Sequence, residues 1–381
     1  MGIKINKLTT NIPVYDITVE KNHNFFANDI LVHNCIEIVQ YSDPETTAQC
    51  ILSSLVLQSF IKNGKFDFAK LIESTRIIVK SLNNLIDINE YSTVEARKGA
   101  SEQRAIAIGV QGLADVFAIL KLSFTSEEAK KLNKMIFETI YFAALTESNR
   151  LAKENGIVYK YFKGSPYEEG ILQFDMWGLT KDDLLCGYDW DSLKDSIKTY
   201  GLANSLVTGA MPTASSAIII GSNESFEPFT YNIYTRAGIG GEHIIINKYL
   251  VKELSERGYW IDEIRNEIIK NKGSIQNIPV LDDDIKERYR TVFEIPQKEL
   301  LNMAADRGAF IDQSQSMNLY MSTPTIGKLT SSHFYAWKKG LKTGVYYLRT
   351  EAVDKKTTHL AIDTTENKTS NGDIDCFGCT A

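Results

Sequence analysis

The chain has 381 residues, 43% hydrophobic and 24% charged, with 48 acidic against 42 basic side chains and a formal net charge of -6. That length exceeds what one hydrophobic core usually holds, so one large domain with extensions, or two domains, is expected. The acidic balance excludes a protein that coats nucleic acid, whose phosphates reward dense Lys and Arg surfaces.

No apolar run approaches the roughly 20 residues needed to cross a bilayer, and Met1-Gly2-Ile3-Lys4 opens no apolar signal core. A cytoplasmic chain without membrane contact is expected. Five cysteines, at 35, 50, 186, 376 and 379, are an odd number in a long chain. That count fits a reducing compartment, where thiols are catalytic or idle.

From the N-terminus, Pro13 to Val19 alternates β-branched and polar residues, and Asn22-His23-Asn24 turns the chain into Phe25-Phe26-Ala27, Asn28-Asp29 and Ile30-Leu31-Val32. Two short strands around such turn chemistry are too small to bury a core, so the segment needs a partner. His33-Asn34-Cys35 alone reads as a hairpin ending in a deamidation-prone Asn. Val14 to Val19 and His23 to Asn34 together, however, resemble the last two motif blocks of an intein, with Asn28-Asp29 where many inteins have Asn-Gly.

The resemblance implies that the Asn34 side-chain amide closes on its own carbonyl and cleaves the bond to Cys35. His33 and His23 would move protons, and Asp16 of the earlier block is counted with them. The Cys35 thiolate would first accept an upstream acyl chain. A complete intein needs an N-terminal nucleophile block, for which residues 1–34 leave no room. The expectation is therefore an all-β Hint-type C-terminal fragment of a split intein over 1–34, which joins Cys35 to a separate fragment carrying the N-intein.

Beyond Cys35, helical periods run from Phe68 through Leu85 and from Thr125 to Asn155. The second opens with the capping arrangement Thr125-Ser126-Glu127-Glu128 and is followed by Gly156. Ala105-Ile106-Ala107-Ile108 and Ser205-Leu206-Val207-Thr208 are short apolar strands between helices, so an α/β arrangement with parallel strands is expected. Met211-Pro212-Thr213-Ala214-Ser215-Ser216 follows the second strand and opens the run Ala217-Ile218-Ile219-Ile220. Free N–H groups and hydroxyls at such a helix start suit an anion such as a substrate phosphate, although Ser and Thr there also serve as simple caps.

Thr330-Ser331-Ser332-His333 is expected to begin a helix bearing Lys338, Lys339 and Lys342, broken by Gly340 and Gly344. Val345-Tyr346-Tyr347-Leu348 reads as a buried strand, whose period of two sends the tyrosines to opposite faces. From Ala361 to Asp375 the composition is that of a flexible tail, ending in Cys376-Phe377-Gly378-Cys379. That pair is a mobile dithiol or half of a zinc site lacking two ligands.

Residues 35–381 resemble the C-terminal half of the large catalytic subunit of class I ribonucleotide reductase, in its eukaryote-like branch. The likeness rests on Cys35-Ile36-Glu37-Ile38-Val39, Gly109 to Asp115, Asn133 to Tyr141, Met211 to Ser216, Asn223 to Pro228, Arg307 to Ser316 and Leu341 to Thr350. It implies the C-terminal half of a ten-stranded α/β barrel over 35–355 and a tail over 356–381.

By the same resemblance, Cys35 is the thiyl-radical cysteine, Glu37 the carboxylate that takes the 3′-hydroxyl proton, and Cys50 one of two reducing thiols. Tyr346 and Tyr347 are a radical relay, Cys376 and Cys379 the tail dithiol, and Pro212, Thr213, Ala214, Ser215 and Ser216 the substrate diphosphate cradle. The implied partners are a metal-containing small subunit that supplies the radical, a thioredoxin or glutaredoxin, a ribonucleoside diphosphate, and a second copy of the spliced subunit. No cofactor or metal is expected on this chain, and allosteric nucleotides belong to the N-terminal half. Cys186 has no implied role and is taken as structural. The alternatives are an inactive fragment and a nucleotide-binding regulatory module, and the intact set of thiols and phenols disfavors both.

Overall fold

The computed structural model describes residues 24–27, 30–33, 36–238 and 241–351. Expectations for Asp16, His23, Asn34, Cys35, Cys376 and Cys379 lie outside the described residues. Asn24–Ala27 and Ile30–His33 pair antiparallel, with Asn24 opposite His33 and Ala27 opposite Ile30.

The main body is an open run of parallel segments. Strand Leu52–Val56 pairs in parallel with Ala107–Gln111, and Ile108 bridges in parallel to Thr208. Ala210 bridges in parallel to Gln315, and Leu319–Tyr320 pairs in parallel with Leu348–Arg349. Ala107–Gln111 is buried along its whole length, as a strand covered on both faces must be. Ser205 to Thr208, expected as a strand, joins the array through a bridge and backbone bonds such as Ile106 N–H to the Leu206 carbonyl at 3.0 Å. The described residues close no barrel; the array is open, with Leu52–Val56 at one side and Leu348–Arg349 at the other.

Helix Phe68–Ile88 begins where the Asp67 carboxylate accepts the Lys70 N–H. Helix Glu127–Asn155 begins where Ser126 accepts the Ala129 N–H and ends at Gly156, whose φ of 69° is costly for any residue with a Cβ. These two helices pack together, and Gln297–Gly308 packs on the second, covering one face of the array. A further apolar cluster, unforeseen in the sequence, gathers Leu250, Leu254, Ile264, Ile268 and Ile285 from helices Lys248–Glu256, Asp262–Lys270 and Asp283–Arg288, with Tyr289 just beyond the last.

Two expectations near the C-terminus are corrected. The helix begins at Ile326, a turn before Thr330, because Thr325 accepts the Lys328 N–H; it ends at Lys338, leaving Lys342 beyond Gly340. Val345 to Leu348 is not a buried strand: only Leu348–Arg349 is strand, Tyr346 lies in a bend, and both tyrosines are half-buried.

Candidate active site

Five consecutive polar residues, Asp312 to Ser316, are all buried. Burying such a run is costly unless each group is hydrogen-bonded, and here the bonds build the site. Ser314 N–H donates to the Glu37 carbonyl at 2.9 Å, and the Ser316 hydroxyl donates to the Glu37 carboxylate. Gln313 Oε1 accepts from Val39 N–H at 3.2 Å and Gln40 Nε2 at 3.3 Å. Glu37 is thereby held at 1% exposure over the array.

Asp312 anchors the neighboring segment. Its carboxylate accepts from Val207 N–H at 2.7 Å, Thr208 N–H at 2.8 Å and the Thr208 hydroxyl at 3.0 Å, and from the Tyr167 hydroxyl at 3.3 Å. Burial raises the Asp312 carboxyl above the usual range despite these donors, because desolvation of the charged form outweighs them. Lys342 donates to the carbonyls of Ile311 and Asp312, and burial lowers its ammonium.

The anion-loop candidates sit at the exit of the same array, since Ser316 N–H donates to the Ala210 carbonyl one residue before Met211. Thr213 is buried and Ser216 exposed, and the Ser216 hydroxyl donates to the Thr213 carbonyl at 2.8 Å. Ala214 and Ser215 open helix Ala214–Ile220, and Thr213 makes no side-chain cap bond to it. The Thr213 hydroxyl instead accepts from Ser225 N–H at 2.8 Å.

On the other side of Ser316, Met317 accepts Tyr346 N–H at 2.7 Å. The bend at Tyr346 overrides strand alternation: the rings of Tyr346 and Tyr347 lie 3.8 Å apart between centroids, and the Tyr347 hydroxyl donates to that of Tyr346 at 3.0 Å. The structure thus brings Glu37, the 212–216 loop and the tyrosine pair around the 313–317 segment. Cys50 is exposed and follows Gln49, whose N–H donates to Gln40 Oε1 at 3.3 Å, while Gln40 Nε2 donates to Gln313 at 3.3 Å.

Cys186 lies apart from this group. Burial, with the Glu138 carboxylate nearby, pushes its thiol up to about 12, so it carries no thiolate near neutrality.

Sequence reasoning missed Asp312, Gln313, Ser314, Ser316, Glu227 and Arg307 as individual site residues. Arg307 lies over the Phe226 ring at 4.0 Å and donates to Gln315 at 2.6 Å, and burial lowers its guanidinium to about 9. Burial raises Glu227 to about 7, with Glu224 adding to the effect. The available signal was an unbroken polar run flanked by Phe310-Ile311 and Met317, an unusual pattern for a solvated loop.

The sequence profile described as "Ribonucleotide reductase, barrel domain" matches residues 10–347. The chain belongs to the ribonucleotide reductase barrel family. It is 47% identical to the ribonucleoside-diphosphate reductase large subunit of Caenorhabditis elegans, over 98% of this chain and 49% of that protein. It is 52% identical to the large subunit of Danio rerio, over 83% of this chain and 40% of that one. Among solved structures, the alpha subunit of the class Id ribonucleotide reductase of Actinobacillus ureae is similar, with a TM-score of 0.62 and 27% identity over 84% of this chain and 52% of that one. The chain spans half or less of the length of these curated relatives. The profile match begins upstream of Cys35, so it marks no boundary at Asn34.

Proposed function

We propose that this chain is the downstream precursor of a ribonucleotide reductase large subunit. Once joined to an upstream half that completes the barrel, it reduces ribonucleoside diphosphates to deoxyribonucleoside diphosphates for DNA synthesis. The observation that carries this reading is the buried Glu37 carboxylate, bonded to Ser316 between the 212–216 loop and the residue that binds Tyr346.

In this reading Cys35 is the hydrogen-abstracting thiyl, and Glu37 takes the 3′-hydroxyl proton while Ser316 orients it. The loop holds the diphosphate. Cys50 and a thiol of the upstream half are oxidised to a disulfide as water leaves C2′. The Tyr346–Tyr347 pair relays the radical from a metal-containing small subunit, its short hydroxyl contact suiting stepwise transfer of electron and proton. Cys376 and Cys379 return the disulfide to thiols and are reduced in turn by a thioredoxin or glutaredoxin. The assembled subunit acts as a homodimer, with allosteric nucleotides on its N-terminal half.

The division into 1–34, 35–355 and 356–381 belongs to the same proposal, as does trans-splicing at Asn34-Cys35. What supports splicing is the pair of intein-like motif blocks and a hairpin ending at His33, one residue before the scissile Asn34. Co-expression with an upstream fragment carrying an N-intein tests both parts. Intact mass should show a ligated product lacking residues 1–34, and that product should reduce cytidine diphosphate when the small subunit is added. Retention of residues 1–34 in an active complex sinks splicing alone; a ligated product with no turnover sinks the reductase assignment.

A further inference from the structure

The Asn223–Pro228 loop touches two parts of the site that are otherwise joined through the Ala210–Ser316 backbone pairing. At one end, Ser225 N–H donates to the Thr213 hydroxyl at 2.8 Å, and the Ser225 hydroxyl donates to the Met211 carbonyl at 2.9 Å. At the other, Glu227 Oε1 accepts from Asn318 N–H at 3.4 Å and Asn318 Nδ2 at 3.3 Å. Asn318 lies between Met317, which accepts Tyr346 N–H, and Leu319, whose N–H donates to the Tyr347 carbonyl at 2.9 Å. One short loop therefore grips both the start of the anion loop and the strip of backbone on which the tyrosine pair is hung.

The loop itself is tightly fixed. Asn223 N–H donates to Asp115 at 2.7 Å, the Asn223 amide donates to the Glu227 carbonyl at 2.6 Å, and Gly112 N–H donates to the Asn223 carbonyl at 3.0 Å. Ser225 is buried and held at a φ of 46°, a left-handed conformation that a residue with a Cβ keeps only when its surroundings over-determine it. Strain of this kind collects where geometry matters more than local comfort. A simple connection between a helix and a strand needs neither that conformation nor a buried carboxylate.

We propose that the Asn223–Pro228 loop is a bracket that sets the anion loop and the tyrosine pair in fixed relative position, with Ser225 and Glu227 as its two positioning residues. Its meaning for catalysis rests on the reading of the 212–216 loop as the diphosphate cradle, since occupancy of that cradle would then be felt at Tyr346 and Tyr347. The linkage itself needs no ligand.

Amide hydrogen exchange on the full chain tests it by perturbing each end and reading the other. Glu227→Ala, which removes the acceptor for Asn318, should speed exchange at the Ser225 and Ala217 amides, and Ser225→Gly should speed exchange at the Tyr346 and Leu319 amides. Each change should be about tenfold, the effect of losing one net hydrogen bond. The Ile108 and Val110 amides, in the buried strand, should not change. The bracket is overturned if each substitution speeds exchange only at its own contacts, or if all amides speed up together. A second arm adds pyrophosphate to the unaltered chain. Protection at 211–217 that extends to 317–319 and 346 supports both readings, whereas protection confined to 211–217 sinks the bracket and spares the cradle. An absence of protection sinks the cradle while leaving the two-ended exchange result to decide the bracket.

Discussion

Glu227→Gln should change how stability depends on pH. Burial, reinforced by Glu224, raises this carboxyl from the 4.5 of a solvated glutamate to about 7, and neither the Asn318 donors nor Arg307 reverses the effect. At about 1.4 kcal/mol per pH unit, the folded state therefore prefers the protonated form by about 3 kcal/mol. A carboxyl whose pKa is higher folded than unfolded contributes stability that is whole below 4.5 and is lost as pH rises through about 7. Glutamine copies the shape and acceptor of the protonated acid and does not ionise. Native chain and variant should thus have matching urea midpoints at about pH 4, and the variant should be more stable by up to about 3 kcal/mol at about pH 8. Burial also raises Asp115 and Asp312, so the measured quantity is the difference between the two proteins at each pH. A difference that stays constant across that range refutes the assignment of a buried, reluctant carboxylate to Glu227.

Further substitutions address packing, the radical relay and the junction. Gly99→Ala puts a Cβ 2.1 Å from the Thr47 carbonyl oxygen, so it should cost about 1–3 kcal/mol in thermal unfolding and loosen the segment leading to Cys50; an unchanged melting temperature contradicts that close approach. In the assembled enzyme, Tyr346→Phe removes the acceptor of the Tyr347 hydroxyl and should abolish turnover while leaving diphosphate affinity intact, as equilibrium binding would report. Cys35→Ala should abolish both ligation and reduction. Cys35→Ser should retain some ligation, since a hydroxyl accepts an acyl group, yet yield a dead reductase, and turnover by the ligated serine protein would rule out the thiyl role.

The long helices were legible because their signals are local. Asp67, Ser126 and Gly156 each satisfy or release backbone groups within one turn of a helix end, and the apolar period between them leaves no competing choice. Where two caps compete, local reading fails: Thr330 and Thr325 have the same chemistry, and the helix uses the earlier one, whose hydroxyl accepts the Lys328 N–H at 3.2 Å. The tyrosine pair escaped the strand rule because the bend at Tyr346 comes just before the pairing that enforces alternation. Glu37 was legible only through a family motif, since nothing near it in sequence announces that Ser316, 279 residues away, will hold its carboxylate. The polar run from Asp312 to Ser316 had the opposite fault: its composition suggests solvent, and only the long-range bonds to Thr208, Glu37 and Ala210 explain its burial.

The open side of the parallel array has a consequence for the life of the newly made chain. Strand Leu52–Val56 shows ladder pairing to Ala107–Gln111 alone among the described strands, and Ile218, Ile219 and Ile220 stand exposed on the helix beside the anion loop. A strand margin without a ladder partner and exposed aliphatic side chains both favor adding segments from other molecules. Synthesis of this half in excess over its complement should therefore drive it into inclusion bodies, and balanced production of the two polypeptides becomes a requirement for soluble yield.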